Sequence, residues 1–176
     1  MNKITPDTKN ILTHDDAVKR KTIIGDTHYK IQLHIEEQTN NYKGEVTIDF
    51  DFTPGDVSVL KIDFVSKEVT SLILNNSEVE DFTRGNYALY LDTNMLTKGK
   101  NVLIIKYINI YDNTGSGFHK FTDPVDKETY IHTDFEPYDA HSLFPCFDQP
   151  DIKATYLLTI TGPDKWQYIH NSSIAN

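Results

Sequence analysis

The sequence predicts an all-β domain, a sandwich or a barrel, and three observations carry that prediction. Apolar residues recur at every second position over long stretches, turn-forming residues separate those stretches at regular intervals, and helical periodicity is almost absent. The 176 residues fit one domain with a small appendage, and ten Tyr and nine Phe supply ring area for an ordinary core.

Taken in order, residues 1–24 read as an N-terminal extension in which only Asp15 to Lys19 favours helical turns, and residues 25–176 read as the β domain. From Tyr29, Ile31, Leu33 and Ile35 alternate with Lys30, Gln32, His34 and Glu36, the pattern of a strand with one wet face. After the polar turn Gln38 to Asn41 the rhythm returns, with Val46, Ile48, Phe50 and Phe52 opposite Glu45, Thr47, Asp49 and Asp51, so the two runs form a hairpin. Shorter strands follow at Val57 to Phe64, Val69 to Leu74 and Tyr87 to Leu91, separated by Pro-Gly, Asn-Asn and Arg-Gly-Asn turns. Val102 to Ile110 is apolar at nearly every position, which predicts a central strand covered on both faces. Ala154 to Ile160 resumes the strand pattern. Between these lies Asp112 to Pro150, rich in Gly, Pro, rings, acids and His, and loops held by a rigid sheet are where function concentrates.

Composition narrows the function classes. Lys and Arg number 17 against 26 Asp and Glu, a formal charge of -9 that repels phosphate backbones, so nucleic acid is not an expected partner. No apolar run approaches the roughly 20 residues needed to cross a bilayer. With one cysteine, Cys146, and no leader-like apolar start, the expected address is cytoplasmic. Cys146 sits in Leu143-Phe-Pro-Cys-Phe147 without a basic neighbour and reads as a buried structural thiol. Thr114-Gly-Ser-Gly117 lacks the lysine of a phosphate loop and reads as flexible. Asp148, Asp151 and Lys153 read as ion pairs that pin a turn.

Candidate chemistry gathers at Tyr130-Ile-His-Thr-Asp-Phe-Glu-Pro137. Strand geometry puts His132, Asp134 and Glu136 on one face. Three readings stay open at this point: a pair of carboxylates that holds an ammonium group, a metal site using one imidazole and two acids, or a solvated strand face. The histidines lack the i, i+4 helical spacing of a zinc protease helix, and none is followed by Glu.

Tyr130 through Thr133-Asp-Phe-Glu-Pro137, Leu143-Phe-Pro-Cys-Phe-Asp-Gln-Pro-Asp-Ile-Lys-Ala154 and the opening runs Tyr29-Lys-Ile-Gln-Leu-His-Ile and Tyr42-Lys-Gly-Glu-Val-Thr-Ile together resemble the amino-terminal domain of M1 zinc aminopeptidases, the aminopeptidase N family. The resemblance covers about residues 25 to 176 and implies a mostly antiparallel, saddle-like β-sandwich packed against a zinc-bearing catalytic domain. It implies that Glu136 binds the free α-amine of a peptide. It places Asp134 where the family usually carries Gln beside the pocket for the first side chain, and His141 and Ser142 where arginines are common. The family's G-x-M-E-N and H-E-x-x-H motifs are absent, so zinc belongs to a parent enzyme and the isolated chain is expected to be inactive. The chain also stops before this domain usually closes, so a fragment with an unpaired sheet edge is expected, open to edge-to-edge self-association. The alternative is a non-catalytic scaffold of the same architecture. Expected partners are peptide N-termini and the catalytic domain.

Overall fold

The computed structural model describes residues 4–173. The outermost residues of the expected extension and β domain, 1–3 and 174–176, lie outside the described residues. The extension forms helix α1, His14–Ile23, longer than the Asp15 to Lys19 turns expected from sequence. Thr13 explains the earlier start: its hydroxyl accepts the Asp16 N–H, and Asp15 and Asp16 place negative charge at the helix N-terminus. Arg20 and Lys21 complement the other end, and Ile23 is buried.

The chain then enters β1, Ile24–Ile35, and turns back as β2, Asn41–Phe52, in the expected antiparallel hairpin, with Ile31 opposite Val46. β1 begins five residues before Tyr29 because a bulge between Gly25 and His28, with Asp26 at φ 37°, resets the alternation. Next come β3, Val59–Asp63, β4, Glu68–Leu74, the short β5, Ser77–Glu78, and β6, Thr83–Arg84. β7, Ala88–Asp92, β8, Gly99–Ile110, β9, Gly117–Thr122, β10, Thr129–Asp134, and β11, Ala154–Thr161, follow. The large sheet has the order β11-β1-β2-β8-β4-β5, a second has the order β3-β7-β6, and β9 pairs with β10. Every pairing is antiparallel except that of β1 with β11. β11 is an outermost strand, with Tyr156 and Leu157 each 50% exposed.

The core lies between the first two sheets. Ile31, Leu33, Val46, Ile48, Phe50, Leu103 and Ile105 face Leu60, Ile62, Leu89 and Leu91 in one buried cluster. Each such Leu or Ile removed from water contributes about 1.5–3 kcal/mol before chain entropy is counted. The expectation for Val102 to Ile110 needs correction. β8 is central in its sheet, but only its inner positions are buried, while Val102 is 36% and Ile110 55% exposed. The outward β-branched residues suit the pleated backbone without lying in a second core. The strand covered on both faces is β7, where Ala88, Leu89, Tyr90 and Leu91 are all buried. The N-terminal segment covers its outer face: the Asp7 N–H donates to the Tyr90 hydroxyl at 2.9 Å, and burial pushes that phenol up to about 12.

A close approach between strands sets up the functional loop. Gly44 on β2 stands opposite Tyr107 on β8, and a Cβ there would lie 2.1 Å from the tyrosine ring. The bare backbone lets the ring cross over β2. Its hydroxyl donates to the Leu143 carbonyl at 2.9 Å, Tyr42 donates to the same carbonyl at 3.0 Å, and Asn109 Nδ2 donates to the Ser142 carbonyl at 3.0 Å. Three side chains of the rigid sheet thus satisfy backbone carbonyls of the 3₁₀ turn Ala140–Ser142 and the residue that follows.

Candidate functional site

The β9–β10 hairpin projects Tyr130 to Asp134 beside that turn. Gly117, at φ 63°, is opposite Asp134, and a Cβ on it would meet Ser142 Cβ at 2.8 Å, so glycine lets the hairpin base sit against the turn. Phe118 anchors the inner face, edge-on to Tyr42 at 5.0 Å between ring centroids. The outer face carries rings: Phe121 stacks on Tyr130 at 5.3 Å, and His119 meets His132 at 4.9 Å. His119 Nδ1 accepts the Gly115 N–H, so the glycine loop is tied to the hairpin.

His132 and Asp134 share a face of β10 as expected, but the strand ends at Asp134 and Glu136 lies in the turn beyond it, before a cis peptide bond to Pro137. The strand-face rule therefore does not carry to Glu136. The Asp134 carboxylate accepts the Glu136 N–H at 3.3 Å, capping the start of the turn, and the Asp139 N–H closes it on the Phe135 carbonyl at 3.1 Å. Both carboxyl-bearing side chains are exposed, and among the described residues neither Asp134 nor Glu136 makes an ion pair. Nearby, burial raises the Asp139 carboxyl above its ordinary value; the His141 ring opposes this, and the charges of Asp148, Asp112 and Asp134 add to it. The surroundings of Glu136 are thus anionic and suited to a cation.

The metal reading has no geometry behind it. Among the described residues no group of three or more His, Cys, Asp or Glu is placed to hold a metal ion, and His132, Asp134 and Glu136 are not gathered around a point. Cys146 is buried, and burial pushes its thiol well above the ordinary range, so it is inert packing and not a nucleophile. Asp148 does pin a turn, though its partner is His141 at 2.7 Å and not a lysine. Asp151 accepts the Gln149 amide at 2.7 Å, and Lys153 joins no ion pair among the described residues.

Sequence reasoning missed the supports beneath this turn. Arg20 of α1, 6% exposed, pairs with Asp63 of β3, which is wholly buried. Arg20 Nε also donates to Gln149 at 2.9 Å, and the Asp148 N–H donates to Asp63 at 3.0 Å. The available signal was a single acid closing the apolar run Val57 to Phe64, since a buried carboxylate requires a partner.

Comparison with known proteins gives these features a context. The sequence pattern of the Peptidase M1 N-terminal domain matches residues 26–175. Aminopeptidase N of Streptomyces lividans is 33% identical over 167 residues, spanning 92% of this chain and 19% of that protein. The mitochondrial aminopeptidase 2 of Saccharomyces cerevisiae is 26% identical over 159 residues, or 85% of this chain and 17% of that protein. Native yeast LTA4 hydrolase shares the fold at a TM-score of 0.68 and 20% identity, covering 81% of this chain and 23% of that one. An M1 zinc metallopeptidase from Deinococcus radiodurans does so at 0.61 and 17% identity, covering 81% of this chain and 33% of that one.

Proposed function

Since the chain belongs to the peptidase M1 N-terminal domain family, we propose that it is the substrate-amine-recognising module of a zinc-dependent aminopeptidase, which removes single residues from peptide N-termini. The chain spans about a fifth of the relatives' lengths, and the described residues hold no metal site, so the zinc and the chemistry it supplies, an activated water, belong to a catalytic domain in a longer polypeptide. Glu136 anchors the substrate α-ammonium, and Asp134 lines the pocket for the first side chain.

The observation that carries this reading is the uncommitted state of Glu136. Its carboxylate is exposed at a turn held from below by the sheet, and no cation of the described residues neutralises it. A fixed anion at the end of a cleft admits an ammonium terminus and presents only the first peptide bond. The desolvation that comes with a covering catalytic domain strengthens such a pair. In the zinc-loaded full-length enzyme, Glu136→Ala is expected to raise KM and lower kcat/KM by about 2–5 kcal/mol, the loss typical of breaking a desolvated charge pair. Unchanged kcat/KM on free-amine peptides would remove the assigned role.

The outer edge of β11 has no strand partner among the described residues, and Tyr156, Leu157 and Ile160 are exposed there. Such an edge offers backbone donors and acceptors to a further strand, which in the isolated chain is the same edge of a second copy.

A further inference from the structure

Arg20 lies six residues before the segment that matches the family pattern begins, on a helix that adds only Ile23 to the buried apolar cluster. Its guanidinium is nevertheless among the most deeply buried charges of the molecule, at 6% exposed, and it meets Asp63 at 0%. Around this pair runs a continuous chain of contacts. Arg20 Nε donates to Gln149 Oε1 at 2.9 Å, and Gln149 Nε2 returns to the Ala17 carbonyl of α1 at 2.9 Å. Asp63 accepts the Asp148 N–H at 3.0 Å and bridges backbone to backbone with Cys146. Asp148 in turn receives the His141 N–H at 3.2 Å and the His141 Nδ1 at 2.7 Å. His141 is wholly buried; its Nε2 lies 3.0 Å from the Asn10 side-chain oxygen, and its ring packs 4.5 Å from Tyr138. Tyr138 is two residues after Glu136, and its hydroxyl is pushed up first by burial and then by the charge of Asp63.

We propose that Arg20 is a positioning residue for Glu136: the helix cation fixes Asp63, Asp63 and Asp148 fix His141, and His141 with Tyr138 fixes the turn from which the Glu136 carboxylate projects. Within this network Arg20 is the only arginine, and Lys61 approaches the second Asp63 oxygen no closer than 3.8 Å. Without the guanidinium a buried carboxylate is left uncompensated and must draw in water or move, and either displaces the Asp148 and His141 groups bonded beside it. The sheet holds the far end of the turn, through the Val65 N–H on the His141 carbonyl and the Tyr42, Tyr107 and Asn109 bonds to the Ser142 and Leu143 carbonyls, while the end that carries Glu136 is closed by the Asp134 cap and one backbone bond from Asp139 to Phe135. A guanidinium suits this place because its Nη1 meets one Asp63 oxygen while its Nε meets Gln149 Oε1 from the same planar fork, which an ammonium cannot copy, although Nη2 and the other Asp63 oxygen are left without a hydrogen-bond partner among the described residues.

This inference rests on Glu136 being the amine anchor, so its test separates the two. In the zinc-loaded full-length enzyme, Arg20→Gln is expected to raise KM for a free-amine peptide substrate about tenfold with kcat within threefold. Arg20→Lys, which keeps the charge and serves if the Gln variant does not fold, recovers part of the loss. In the Glu136→Ala background the Arg20 substitution should have no further effect on KM, because the anchor that it positions is gone. An unchanged KM in Arg20→Gln, or the same tenfold loss with and without Glu136, overturns the positioning role, the second outcome marking Arg20 as a general stabiliser. If Glu136→Ala alone leaves KM unaltered, the amine-anchor reading fails. Amide hydrogen exchange on the 176-residue chain then decides the inference: faster exchange in Arg20→Lys confined to residues 136–149 supports it, and unchanged or uniformly faster exchange overturns it.

Discussion

Asp134 and Glu136 are both carboxylates and both exposed, yet their local duties differ. Asp134 spends one oxygen on the Glu136 N–H, while Glu136 makes no ion pair among the described residues. A short anionic side chain beside the proposed amine anchor would favour a cationic first residue, because a second anion in a partly dry pocket discriminates by charge more than by shape. On the proposed function, Asp134→Gln in the full-length enzyme is expected to lower kcat/KM for Arg or Lys at the first position relative to Leu or Ala by about tenfold, roughly 1.4 kcal/mol. Identical selectivity profiles across those four substrates would dispose of that role. At the same scale, Gly44 and Gly117 are required by what lies against them, a tyrosine ring at 2.1 Å and a serine Cβ at 2.8 Å.

Among the elements, β11 is a long edge strand with exposed apolar residues. It follows β1 in parallel, with Tyr29 beside Tyr156, Ile31 beside Leu158 and Leu33 beside Ile160, so its apolar residues continue the core face of the sheet. Tyr29, Ile31 and Leu33 are buried, whereas Tyr156 and Ile160 remain 50% and 38% exposed, with His170 of the C-terminal segment beside the Tyr156 ring. The isolated chain is therefore expected to associate through this edge. Sedimentation equilibrium should show a concentration-dependent dimer, and Leu157→Lys should weaken it at least tenfold by placing charge on the edge. A wild-type chain that stays monomeric to millimolar concentration would rule this out. Helix α1 shows the opposite case, since its exposed residues make it look like a loose appendage in sequence while Arg20 ties it into the interior.

The molecule as a whole carries a stability that is lost at alkaline pH. Burial raises Tyr29, Tyr42 and Tyr107 well above the ordinary phenol value, and Cys146 well above the ordinary thiol value. Groups whose folded values exceed their unfolded ones bind protons more tightly in the native state, so their contribution is intact below the unfolded values, near 8.5 for the thiol and 10 for the phenols. It is lost as pH rises above them, by about 1.4 kcal/mol per pH unit for each group that the unfolded chain has already ionised. Urea unfolding should therefore give a flat stability from pH 7 to 8 and a steep decline above pH 10. A stability independent of pH up to 11 would contradict the packing described for these side chains.

How much of this was legible in the sequence depends on the range of the interaction involved. Alternation over Tyr29 to Ile35 and Val46 to Phe52 determined the strands, the hairpin and its buried face, because side-chain period is a local property of the backbone. The family pattern that runs through Asp134 and Glu136 was also legible, through residue order alone. The tertiary structure decided the rest: that β7 and not β8 is covered on both faces, that β10 stops before Glu136, and that Arg20 meets Asp63 across 43 positions of chain. Burial on a second face and the partner of a buried charge depend on which elements fold back into contact. That is set by the packing of the whole molecule, and no local period encodes it.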